Sequence, residues 1–198
     1  MNDPLKLILR LFRQILSQKI SRSPRNDFIR NQIIASLASQ FLTDTERADM
    51  LGLPEGCRVR ESAKIICPQL LRLGSHCNFA ENSIIDASGG LSIGSHTTIG
   101  VGVLVWSHSS HMANLLHANH VGSPLIIRKQ TTIGSGCFIS GPSVVQAGST
   151  IGNSCLIQPF SNVNGTIPDR SIVTSNSTLP GILTDDRLLL MKKLSFIE

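Results

Sequence analysis

Apolar residues recur at every sixth position through the middle and end of this chain. Leu73, Phe79, Ile85 and Leu91 form one register, and Ile93, Ile99 and Val105 form a second. Ile127, Ile133, Ile139, Val145, Ile151, Ile157 and Val163 form a third, and a further register follows at Ile167, Val173 and Leu179. A period of six fits neither an amphipathic helix nor a simple alternating strand. Four residues after nearly every anchor stands a small or β-branched residue: Cys77, Ser83, Gly89, Thr97, Val103, Thr131, Cys137, Ser143, Ser149, Cys155, Ser161, Ser171 and Ser177. Gly follows many anchors directly, as at Gly74, Gly94, Gly100, Gly134 and Gly152. The pattern predicts a prism with three short faces per coil, large side chains stacked inside and small ones at the corners. About 18 residues per coil gives roughly five coils between Leu73 and Leu179.

Two breaks interrupt the register. Between Leu91 and Ile93 the frame slips by two, which reads as a local bulge. Between Val105 and Ile127 lie 22 residues, so part of Trp106–Pro124 must leave the prism as a candidate functional loop. Ahead of the repeat, Leu5, Ile8, Leu9, Phe12, Leu16 and Ile20 share one helical face. Asp27 is placed to cap a second helix carrying Ile29, Ile33, Leu37 and Phe41. The expected organisation is a helical region over 1–54, a β-helix over 55–181 with an extruded loop at about 107–124, and a C-terminal helix within 182–198 that covers the open end.

Composition narrows the class. At 198 residues, 41% hydrophobic and 16% charged, the chain is too apolar for a disordered tail and too charge-interrupted for a membrane span. The net charge of +5 resides in residues 1–30, where seven basic side chains face Asp3 and Asp27; from residue 31 onward the charges balance. A basic balance of this kind does not indicate a nucleic-acid surface. The N-terminal apolar stretch is broken by Lys6, Arg10 and Arg13 and lacks a cleavage site, so it does not read as a secretory signal. Five cysteines without a CxxC pair predict reduced thiols in a cytoplasmic protein, serving as small core residues.

The sustained hexad over residues 59–181 resembles that of the hexapeptide-repeat acyltransferases, whose fold is a left-handed parallel β-helix. The resemblance implies an acetyl-CoA-dependent O-acetyltransferase acting on a sugar hydroxyl of a bacterial polysaccharide or its precursor. It also implies a homotrimer with the acyl donor held between adjacent prisms. In that family a histidine at the start of an extruded loop acts as general base. The loop here reads Trp106-Ser107-His108-Ser109-Ser110-His111, with His117 and His120 beyond. His111 looks like the histidine of a Ser-Asp-x-His element and is the first candidate for the base; His108, resembling the first histidine of an Asp-His-x-His variant, is the second. A neutral imidazole suits the task, because it can accept a hydroxyl proton near neutral pH and return it to a thiolate. The Asp of the element is missing, since Ser109 stands there. Counting one coil plus the two-residue slip puts Asp86 under Trp106, where it would orient a histidine. Trp106, Ser107 and His117 are candidate acceptor contacts.

The stretch Cys137–Gly152 is similar to the family's coenzyme-A groove segment, with Phe138, Ser140, Gly141, Ala147 and Gly148 in its narrow positions. Gln158-Pro159 replaces a Gly-Ala element, and Pro159 lacks an amide donor. Gly165 stands where a lysine is common, which leaves Arg170, Lys192 or Lys193 for the coenzyme's phosphates. No metal is expected, because the metal-dependent carbonic anhydrases that share the β-helix carry their histidines on successive coils, and here none occurs after His120. Two alternatives stay open: N-acetylation of an amino sugar or small amine, and a non-catalytic β-helix assembly module. The basic helix over residues 1–26 has two readings as well, one as a contact for an anionic inner-membrane surface and one as a packing element against the prism or a neighbouring subunit.

Overall fold

The computed structural model describes residues 40–118 and 124–194. The basic N-terminal helix, most of the second helix and His120 lie outside these residues. The chain divides into two compact units, 1–43 and 44–198, and the repeat belongs wholly to the second.

Three parallel sheets wrap one narrow core. The first face is built by Arg58–Val59, Asn78–Phe79, Thr98–Ile99, Phe138–Ile139, Leu156–Ile157 and Ile172–Val173. The second contains Lys64–Ile66, Ile84–Asp86, Leu104–Val105, Val144–Val145 and Asn162–Val163. The third contains Leu71–Leu73, Leu91–Ile93, Thr131–Ile133, Thr150–Ile151 and Thr166–Ile167. With strands of two or three residues, each coil contributes one or two inward side chains per face. Phe79, Ile85, Ile99, Val105, Ile139, Val145, Ile157 and their neighbours are thereby fully buried in a single stack. Burial of that apolar column drives the winding, and the short ladders satisfy the backbone.

The coil length is not uniform. Arg58 pairs with Asn78 and Asn78 with Thr98, so the early coils take 20 residues; Phe138 pairs with Leu156 at 18, and Leu156 with Ile172 at 16. The extra residues of the early coils lie on the third face, where Leu91 and Ile93 both point inward with Ser92 between them. The apparent slip is therefore a longer strand with two core positions. Two expected anchors lie outside the core. Ile127 is 36% exposed and belongs to an antiparallel ladder, and Leu179 is 42% exposed because Thr178–Leu179 folds back antiparallel on Ile172–Val173. The core register resumes instead at Thr131 and Ile133.

One corner carries a column of donors. Cys57, Cys77, Cys137 and Cys155 each direct Sγ to a carbonyl of the following coil, those of Gly74, Gly94, Gly152 and Pro168, at 3.0 to 3.5 Å. Thr97 fills the gap with Oγ1 donating to Gly134 O at 2.8 Å. Burial pushes the Cys77 thiol up to about 11, and contact with Cys155 together with burial raises Cys137. The same contact lowers Cys155 to about 7, and all four cysteines serve as buried donors within the stack.

Helix α1, Asp44–Met50, closes the first coil: Ala48 is buried, and Arg47 Nε donates to Val59 O at 2.7 Å. After the loop helix α2, His111–Leu115, the described residues end with α3, Asp185–Leu194, as the C-terminal pattern predicts. Leu189 and Leu190 on α3 are exposed.

Candidate active site

The site forms where the second face turns toward the third. Trp106 N still donates to Val145 O, and Trp106 O accepts from Thr131 Oγ1 at 2.6 Å, so the chain leaves the prism only after this residue. It departs along His108–Ser109 and returns along Ile127–Arg128, the two segments pairing antiparallel with His108 opposite Arg128. A two-strand neck thus fixes the base of the loop to the scaffold, and the histidines at its start are held more rigidly than a free loop would hold them.

Asp86 lies one 20-residue coil before Trp106 and is fully buried. Its Oδ2 accepts from His108 Nδ1 at 2.7 Å, from Ser107 N at 3.1 Å and from Ser107 Oγ at 3.1 Å, while Oδ1 accepts from Ser88 N at 3.1 Å. Burial alone would push this carboxyl up. Hydrogen bonds from His108, Ser88 and Ser107 outweigh that effect and hold it below the ordinary carboxylate range. An ionised carboxylate only accepts, so the proton of the neutral imidazole sits on Nδ1 and Nε2 keeps a lone pair. Ser88 Oγ lies 3.0 Å from the same Nδ1 and braces the ring.

The pair predicts a pH signature. A carboxylate whose folded value is lowered contributes stability fully above about pH 5, and loses that contribution as pH falls through the lowered value. At neutral pH, Asp86→Asn should cost ~2 kcal/mol in urea denaturation, the scale of a charge-assisted hydrogen bond. The gap to wild type should close on acidification; a gap of constant width from neutral pH to pH 3 would argue against an ionised Asp86.

Beside His108 opens a cleft of about 530 Å³, lined by Trp106, His108, His111, Lys129, Gln146 and Asn164, with Ser109, Ser110, Ile127 and Ala147 completing its wall. His111 opens α2, is exposed, and has its Nδ1 2.7 Å from Ser109 Oγ, a neutral partner. Trp106 meets His108 edge to face at 6.2 Å. Ala147 N makes no hydrogen bond within the described residues. A second groove of about 410 Å³, walled by Leu104, Pro142, Val144 and Phe160, adjoins the cleft through the shared Gln146.

The other candidates fall elsewhere. Ser107 is fully buried with its hydroxyl spent on Asp86, and His117 is exposed just past α2, outside the cleft lining. Phe138 projects from the first face, 48% exposed, and Gln158 is also outside the lining. A Cβ at Gly141 would collide with the carbonyl of Val101, so glycine there serves coil packing. Ser140 N is occupied by Ile157 O, and Gly148 N by Thr131 Oγ1. Arg170 is paired with Asp185 at 2.8 Å. Sequence reasoning missed Ser88 and Gln146. Lys129, immediately after the return strand Ile127–Arg128, also lines the cleft with the loop histidines. Among the described residues no three metal-ligating side chains converge, and no helix is long and apolar enough to cross a membrane.

No family model matches the sequence, and no curated protein matches it. Solved structures do share its architecture. A hexapeptide-repeat-containing acetyltransferase from Vibrio cholerae O1 biovar eltor, complexed with acetyl coenzyme A, is 21% identical, with 79% of this chain and 87% of that one covered at a TM-score of 0.62. A maltose O-acetyltransferase from Clostridium difficile 630 is 17% identical, over 73% and 79% of the two chains, at 0.56. An N-acyltransferase from Bacillus cereus, in complex with dTDP and 3-hydroxybutyryl-CoA, is 10% identical, over 78% and 97%, at 0.58. The shared feature is the fold, a left-handed parallel β-helix.

Proposed function

We propose that the protein is an acetyl-CoA-dependent O-acetyltransferase acting on a sugar hydroxyl of a bacterial polysaccharide or its precursor, with His108 as general base. The observation that carries this reading is the 2.7 Å contact between His108 Nδ1 and the buried Asp86, which leaves Nε2 unprotonated at the cleft. His111 also borders the cleft, but its ring is held only by a serine hydroxyl and not by a carboxylate, so its role is a contact for the acceptor.

The chemistry follows from that tautomer. The acceptor hydroxyl gives its proton to Nε2 as its oxygen attacks the thioester carbonyl, and Asp86 stabilises the imidazolium that forms. The tetrahedral intermediate collapses, the C–S bond breaks, and the departing thiolate takes the proton back from Nε2. No acyl-enzyme is needed, because both reactants are held at one imidazole. The N–H of Ala147, which makes no hydrogen bond among the described residues, belongs to the cleft wall and is available to the developing oxyanion. The apolar groove past Gln146 suits the pantetheine arm of the donor, and the amides and hydroxyls of Gln146, Asn164, Ser109 and Ser110 suit a carbohydrate. The exposed Phe138, with the half-buried Leu156 and Ile172 paired after it on the first face, supports assembly as a homotrimer.

Incubating the protein with acetyl-CoA and a panel of oligosaccharides tests the reading. The expected result is thiol release dependent on acceptor, with an alkali-labile acetyl group on the product. An alkali-stable product would move the assignment to N-acetylation. Absence of both turnover and calorimetric heat with millimolar acetyl-CoA would identify a non-catalytic assembly module.

A further inference from the structure

Lys129 is a placed cation. Its backbone N–H donates to Ser107 O at 2.9 Å, which pins its Cα beside the residue preceding His108. The neighbouring coil presents Gly148 at φ +87°, and the aliphatic stem of Lys129 fills the space a Cβ would take there, with Cδ, Cβ and Cγ at 3.0, 3.2 and 3.7 Å from that position. A side chain at 148 would strain the backbone and push the stem out of its slot. That strip of backbone therefore seats a lysine.

The lysine head has no competing acid. It forms no ion pair among the described residues, and the cleft lining contains no carboxylate. Asp86, the acid nearest His108, is buried with both oxygens occupied. Arg128, opposite His108 in the neck, adds a second cation that forms no ion pair among the described residues. An unneutralised ammonium on a cleft wall draws anions and repels cations.

Resting on acyl transfer at His108, we propose that Lys129 selects an acceptor bearing an anionic group, a carboxylate or a phosphate, close to the hydroxyl that is acetylated. The donor's own phosphates are the competing partners, but in coenzyme A the whole pantetheine arm separates them from the thioester. A cation seated beside the reacting imidazole therefore meets the acceptor.

Trp106 is the protein's single tryptophan and lies in the cleft wall, so its emission reports binding without turnover. The full-length protein is titrated with glucuronate, glucose 1-phosphate and glucose. At least one anionic sugar should half-saturate at roughly fivefold lower concentration than glucose, the scale of one partly exposed ion pair. In Lys129→Met that advantage should fall to within about twofold, and Lys129→Glu should reverse it. Which anion shows the effect distinguishes carboxylate from phosphate. Equal titration of all three sugars, no saturation by either anion, or a charge preference that survives Lys129→Met would overturn the proposal. Anion binding at Lys129 without ester formation would remove the acetyltransferase reading and leave the charge selection standing; esterification of glucose as readily as glucuronate would do the reverse.

Discussion

His108→Ala should lower acetyl transfer about a thousandfold, roughly 4 kcal/mol of transition-state stabilisation, while leaving the fold intact. The loss should appear in kcat rather than in KM for acetyl-CoA, because the imidazole acts on the proton in flight. His111→Ala should cost about tenfold or less, the effect of losing one acceptor contact. Asp86→Asn should fall between these extremes and nearer the first, since an amide can turn its NH₂ toward Nδ1 and drive the proton to Nε2. Combining Asp86→Asn with His108→Ala should cost little beyond the histidine alone, because the two residues act as one unit. Thiol release measured across the four variants checks the scheme. Full activity in His108→Ala together with collapse in His111→Ala would transfer the role of base to His111.

Gly141→Ala should destabilise the prism by about 3 kcal/mol or more, at the upper end of overpacking costs. The reason is steric: a methyl at 141 would enter the carbonyl of Val101 and touch a Val103 side-chain methyl, so backbone must move against backbone. For a chain of this size that loss corresponds to a fall of roughly 6–12 °C in Tm. Gly165→Ala is the control. Its φ is +92°, yet nothing lies within 4 Å of the added Cβ, so its cost is confined to backbone strain of about 1–2 kcal/mol. Equal melting points for the two variants would show that Gly141 is not sterically required.

The architecture was readable because each coil needs one large inward residue per face, and that requirement prints a period of six on the sequence. Reading failed where the coil was not made of three equal hexads. The two residues added on the third face, Leu91 to Ile93, have no hexad signature, and Ile127 is an anchor by type only, since the neck around it is antiparallel. Asp86 was legible beneath the loop because the 20-residue coil could be counted. The contact of Lys129 with Gly148 was not, because it joins the residue after the loop's return strand to the next coil, and no local pattern distinguishes a glycine that seats a lysine from one that eases a turn. Ser107 was a candidate acceptor contact and Gly141 a narrow position of the groove segment; the first is buried against Asp86 and the second is packed against the Val101 carbonyl.

The thiol column gives the solenoid a coil-by-coil clock. Cys57, Cys77, Cys137 and Cys155 sit in four different coils, each at 1–3% exposure, whereas Cys67 is partly open at a corner. An alkylating reagent reaches each core thiol only while its own coil has come apart, so the order in which the four acquire label is the order in which the stack frays. End coils of a linear array have one neighbour instead of two, which sets the sequence of events from the ends inward.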